Sequence, residues 1–209
     1  RASQNSLSEV RKQAQEARGR LSSLETLQHA ALGQEQGAAV EWLRRHGLDS
    51  AARVGEQLSV EPGWENAVEG ALGQLIEGVL VEAPEALVEA LADLGEGRLA
   101  LVSAQGGGEA AFADTSLAAR VRGPLAIRQM LARLHVAETL AEAAALQARL
   151  DPGESVITRV GERLGAGWVR VVRSGAAKQG ALLREREIKQ LREAIEQLQE
   201  REHELEAAL

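Results

Sequence analysis

Cysteine and tyrosine are absent from the 209 residues, and aromatics reach only 2%: Trp42, Trp64, Trp168 and Phe112. Without cysteine there is no disulfide framework, thiolate zinc site, iron–sulfur cluster or thiol nucleophile. With so few rings, a surface that stacks successive bases on aromatic side chains is hard to build. His29, His46, His135 and His203 lie far apart and show no metal-ligand spacing. No apolar run approaches the roughly 18 residues that span a bilayer. The chain opens Arg1-Ala-Ser-Gln, neither a start methionine nor a signal peptide. It is expected to be a segment from inside a longer, soluble, cytoplasmic protein.

What is present is a polarised charge layout under a net charge of −7. Residues 1–20 carry +3, residues 21–154 carry −11, residues 155–192 carry +6 and residues 193–209 carry −5. Phosphate neutralisation is local, so an acidic protein can bind DNA where its basic residues cluster. Scattered arginines on solvated faces mean nothing by themselves. Here, however, two basic segments occupy comparable places near the two ends.

Those ends read as heptad helices. Leu7, Val10, Ala14, Ala17, Leu21 and Leu24 recur at alternating spacings of three and four. So do Ile188, Leu191, Ile195, Leu198, Glu202, Leu205 and Leu209, with Glu202 the one polar residue in the series. A period averaging about 3.5 keeps an apolar stripe on one seam only when the helix supercoils with a partner. Two such stripes around one body predict an antiparallel pair leaving its same side, with residues near 10–21 facing residues near 188–198.

Between the arms, residues 28–180 read as a mixed α/β body. Short apolar stretches predict strands at Leu75–Val81, Arg98–Val102, Ser155–Val160 and Trp168–Val172. Helices are predicted at 62–73 and 84–94, each opened by a proline, and at Leu125–Leu134 and Glu138–Leu150. The glycine run at 106–108 predicts a seam between subdomains of about 28–110 and 111–180.

Catalytic patterns are missing. Gly175-Ala-Ala-Lys-Gln-Gly180 has phosphate-loop glycine spacing, but Ala181-Leu182 stand where Lys and Ser/Thr are needed. Gly95-Glu-Gly97 lacks the third glycine of a dinucleotide fingerprint. Carboxylate pairs such as Glu65/Glu69 and Glu82/Glu85 sit at helical spacing among many other glutamates, and solvated helix faces explain them better than acid–base work. The reading is of a non-enzyme.

Four segments then align with one family. Leu21-Ser-Ser-Leu-Glu-Thr-Leu27, Glu61-Pro-Gly-Trp-Glu-Asn-Ala-Val-Glu69 with Ala71-Leu-Gly73, Leu75-Ile-Glu-Gly-Val-Leu-Val-Glu82 and Gly180-Ala-Leu-Leu-Arg-Glu-Arg-Glu187 follow in order. Together they resemble the hinge domain of bacterial structural-maintenance-of-chromosomes (SMC) proteins, with the inner ends of both coiled-coil arms at 1–27 and 181–209. The resemblance runs from about Leu21 to Leu191. One departure stands out: many hinges carry two Gly-Gly steps after the strand at 155–160, and this chain has single glycines and a tryptophan. Lack of cysteine also sets it apart from the related zinc-hook ATPases.

The resemblance implies an α+β hinge of two subdomains flanked by an antiparallel coiled coil. It implies a homodimer, with Gly165, Gly167, Trp168, Val169, Val171 and Gly175 as interface candidates; the alternative for Trp168 is plain core. It implies weak, sequence-independent DNA contact near the arm root, for which Arg173, Lys178, Arg184, Arg186 and Lys189 are the candidates. The fragment itself would hold no cofactor or metal, and would meet no membrane or small-molecule substrate. ATP and magnesium would belong to head domains elsewhere in a cytoplasmic, nucleoid-associated protein of chromosome condensation and segregation. Two other classes stay open: an oligomerisation module of another coiled-coil protein, and a small-molecule α/β enzyme.

Overall fold

Two long helices, α1 (Ala2–Ala31) and α7 (Ala181–Ala207), run antiparallel and enclose the body at one end in the computed structural model, which describes residues 2–32, 37–106, 110–171 and 180–208. At about 1.5 Å per residue they extend roughly 45 and 40 Å. The antiparallel sense follows from the contacts. Gln28 bonds the Ala181 carbonyl and Glu185 at the root, while Arg11 pairs with Glu202 (2.7 Å) and Glu206 near the tips. Leu7, Val10, Ala14, Ile188 and Ile195 are buried, and Ala17, Leu21, Leu24, Leu191, Leu198 and Leu205 half-buried. Leu209 lies outside the described residues. Interpolating between root and tip sets Ala17 against Ile195 and Leu24 against Ile188, about one turn from the pairing expected. The α1 helix also continues through Gly19 to Ala31, past the expected arm end at residue 27.

The body follows in the order α2 (Ala38–Arg45), a single turn α3 (Val54–Gln57), β1 (Ser59–Val60), α4 (Glu65–Leu72), β2 (Val79–Val81), β3 (Leu101–Ser103), β4 (Val121–Arg122), α5 (Leu125–Leu131), β5 (Leu134–Ala137), α6 (Leu140–Gln147), β6 (Ser155–Thr158), β7 (Arg163–Gly165) and β8 (Trp168–Arg170). Among the described residues these strands form three small sheets. β1 pairs antiparallel with β4, and β2 pairs parallel with β3. The third has the order β5-β6-β7-β8, parallel between β5 and β6 and antiparallel beyond. The α6 helix makes the crossover from β5 to β6 and packs Ala143 on Val156 and Leu164.

Several expected elements are shorter or different. The strand expected at 75–81 keeps only 79–81, because a 3₁₀ turn occupies Gly73–Glu77. That turn begins where Gly73 takes φ +54 at the end of α4. The helix expected at 84–94 is two 3₁₀ turns, Pro84–Leu87 and Ala90–Asp93. Buried Trp42 donates its indole N–H to the Ala90 carbonyl at 3.0 Å, and the Leu94 N–H turns to Leu91 instead of Ala90. The helix expected to reach Leu134 ends at Leu131, and Leu134 begins β5.

The largest core draws on α3, α4, β3, α5, β5 and β6, and also takes in Leu32, Ala181 and Leu182 from the arms. Packing therefore carries the body past the boundary set at residue 180. A second core surrounds Trp42, with Leu43, Val79 and Val81.

Candidate functional site

The arm root is built on α4. Glu65 and Glu69 are four residues apart, so they share one helical face, and that face meets α7. The Glu69 carboxylate accepts the backbone N–H groups of Ala181 (3.1 Å) and Leu182 (3.4 Å). It supplies from another helix the cap that the first turn of α7 needs, and its charge complements the helix dipole. Gly180 is the N-cap, and a β-carbon there would push against this carboxylate. Glu65, with its side chain only 4% exposed, accepts from the Gly63 N–H (2.7 Å) and the Arg186 guanidinium (2.5 Å). Glu65 is thus no member of a solvated helix face: both carboxylates tie two sequence-distant motifs together.

Beside them, Gln28 donates to the Ala181 carbonyl (2.9 Å) and to Glu185 (3.0 Å), and accepts from Arg184 (3.0 Å). Burial pushes the Glu185 carboxyl above its ordinary range, and the Gln28 hydrogen bond and the nearby Lys189 oppose the shift. Lys189 donates to the Leu58 carbonyl (3.4 Å) and Arg192 to Glu25 (2.7 Å). Of the five residues expected to touch DNA, Arg184, Arg186 and Lys189 therefore stand together, half-buried and engaged within the chain. Arg173 and Lys178 lie outside the described residues. A cleft of about 740 Å³ opens between this root and α2–α3, lined by Glu25, Gln28, Glu185 and Lys189 among others. Among the described residues no group of histidines and carboxylates is placed to hold a metal ion, and no helix is long and apolar enough to cross a membrane.

The second site is the β8 edge of the four-stranded sheet, which has no further strand partner among the described residues. Trp168 (43% exposed), Val169 (61%) and Val171 (42%) present apolar side chains on β8 and just beyond it. Trp168 is not plain core. Its indole lies over Gly165, where any β-carbon would strike the ring, and Gly167 takes φ +79 in the tight turn from β7 to β8. Arg163 stacks its guanidinium 5.5 Å from the Trp168 ring centroid and donates to Ser155 (3.0 Å). Its cross-strand partner is Arg170. Burial, then the Arg170 charge, lowers the Arg163 pKa. Gly175 lies outside the described residues.

Residues 49–147 match the model of the SMC proteins' flexible hinge domain. A stretch of 165 residues, 79% of this chain, is 73% identical to the chromosome partition protein Smc of Xanthomonas oryzae pv. oryzae. The chain belongs to the SMC hinge family. The same-named protein of Coxiella burnetii is 40% identical over 189 residues, 90% of this hinge. The hinge spans 14 and 16% of the lengths of these two curated relatives. Its fold matches the crystal structure of an asymmetric dimer of the Geobacillus stearothermophilus SMC hinge domain with a TM-score of 0.72, over 99% of this chain and 92% of that one, at 23% identity. It is the α+β architecture expected. The family model takes in α3 to α6 and stops before the β8 edge and the returning arm, so both candidate sites rest on the geometry given above.

Sequence reading missed the roles of Glu65, Glu69 and Gln28. A signal existed for the first two: their i, i+4 spacing lies inside the motif that carries the family resemblance.

Proposed function

We propose that this hinge joins two copies of a chromosome-partition SMC ATPase, whose ATP-binding heads lie outside the segment, by pairing through the β8 edge. The observation that carries the reading is the exposed apolar set Trp168, Val169 and Val171 on an edge strand. A strand edge with unpaired backbone groups and exposed apolar side chains is a template for association. The likeness to a hinge domain solved as a dimer supports the same reading. The chain should run as a dimer in light scattering at micromolar concentration, and Val169→Glu should run as a monomer with an unchanged circular-dichroism spectrum. A monomeric wild-type chain would sink the proposal.

A weaker, sequence-independent grip on DNA near the arm root is the second part. Its support is the +6 charge of residues 155–192, which lead from the sheet into the first turns of α7. The +3 of residues 1–20, expected to share that neighbourhood, runs instead along the acidic far end of α7, where Arg11 meets Glu202 and Glu206. Because Arg186 neutralises buried Glu65, reversing its charge would disturb the fold as well as any DNA contact. The cleaner variant combines Arg173→Glu with Lys178→Glu, which lie between β8 and α7 in the sequence. Anisotropy of a labelled oligonucleotide should show affinity falling steeply between about 50 and about 200 mM salt, and lost in this variant. Affinity indifferent to both salt and substitution would remove DNA from the reading.

A further inference from the structure

We propose that α4 is a strut linking the four-stranded sheet to the first turn of the returning arm, with Glu65 and Glu69 as positioning residues for the direction in which α7 leaves the body. The proposal deepens the dimer reading, since the sheet so linked is the one whose β8 edge is assigned to the partner copy.

Two adjacent faces of one short helix make the link. Glu65 and Glu69 hold α7 through Arg186 and through the Ala181 and Leu182 N–H groups. One residue further round, Asn66 and Gly70 meet the β6–β7 turn. A β-carbon on Gly161 would come 3.2 Å from the Asn66 carbonyl, and one on Gly70 would come 3.9 Å from Gly161. The same turn sends Arg159 back over the Trp64 ring at 4.6 Å, just before α4 begins, with its guanidinium held by Glu138 at 2.5 and 2.9 Å. Beyond the turn, Arg163 of β7 lies opposite Arg170 of β8. The strand ladder from β8 through β7 to β6, the shared core of α4 and β6 at Trp64, Ala67, Val68 and Ile157, and the carboxylates of α4 therefore form a path from the edge strand to the arm. Close-packed elements pass on a displacement instead of absorbing it, and coupling between two sites is reciprocal.

Hydrogen exchange on the full chain tests the strut. Gly161 has φ +90, so Gly161→Ala both strains the turn and presses on Asn66. Exchange at the Ala181 and Leu182 amides should speed up by roughly 2- to 30-fold, the span of couplings carried through packed networks. Amides of β2, off this path, should hold their rates. In a Glu69→Gln background, Gly161→Ala should add little at those two amides. Unchanged protection at Ala181 and Leu182, or fully additive effects, would overturn the proposal. A second measurement stands if Gly161→Ala folds poorly. Spin labels on cysteines at Glu89 and Arg201 should report a shifted or broadened distance in Glu69→Gln, and an unmoved distance with only a lower Tm would overturn the positioning role. Sedimentation of Val169→Glu judges the edge reading separately, because neither test above depends on the dimer.

Discussion

Arg186 and Glu65 show how one pair can change the meaning of a charge. In sequence Arg186 is one more cation in a basic run; in the folded chain it neutralises a carboxylate whose side chain is 4% exposed. Removing one partner of a buried pair strands the other. Arg186→Ala should cost about 2 kcal/mol, less than for a fully buried pair because the guanidinium reaches solvent. The Tm should fall by roughly 4–8 °C in a chain of this size. The double variant with Glu65→Gln should recover part of the loss, and a calorimetric double-mutant cycle checks it. Glu185 offers a pH signature. With its folded pKa raised by burial, it holds an extra proton in the folded state between its unfolded and folded values. Stability then falls as pH rises through that window, and the loss is complete above the folded value. Glu185→Gln leaves an acceptor for Gln28 but no charge. Its Tm relative to wild type should climb from the ordinary carboxylate range toward neutrality; a difference constant across pH would contradict the burial argument.

At the scale of elements, the arms draw their stability from each other. Isolated helices of about 30 residues with mixed polar faces are weakly held in water, and the shared seam is what orders them. Arg11 with Glu202, Arg20 with Glu187 (2.6 Å) and Glu25 with Arg192 flank that seam, each exposed enough to contribute little alone. Glu202, the polar interruption in the heptads, is thus taken up by Arg11. Because the chain has no cysteine, an introduced pair reports without background. Ala17→Cys with Ile195→Cys should crosslink within one chain, while Ala17→Cys with Leu191→Cys, off by a turn, should do so less efficiently. Equal yields would mean that the arms slide in register.

Across the whole molecule, the body and arms share one core, since Leu32, Ala181 and Leu182 pack among the residues of α4 and β6. A body cut at residue 180 would lose both core side chains and the N–H groups that Glu69 caps. Dimerisation is therefore best measured on the whole chain.

Local periodicity is what made the arms legible in the sequence. A seam repeating every three and four residues is a property of neighbours along the chain, and it specifies helix, face and supercoil together. The order of motifs likewise pointed to the hinge family, and short apolar runs marked β3, β6 and β8 within a few residues. The tertiary structure decided what depends on residues far apart in sequence. At the 3₁₀ turn Ala90–Asp93, the Ala90 carbonyl is taken by an indole 48 residues away instead of by the next helical turn. β5 and β7 are strands because β6 lies between them to complete their ladders. Glu65 and Glu69 became structural carboxylates only when α7 returned more than a hundred residues later to present Arg186 and two uncapped N–H groups. No local pattern encodes a partner's position, and a buried charge acquires its role from the partner it meets.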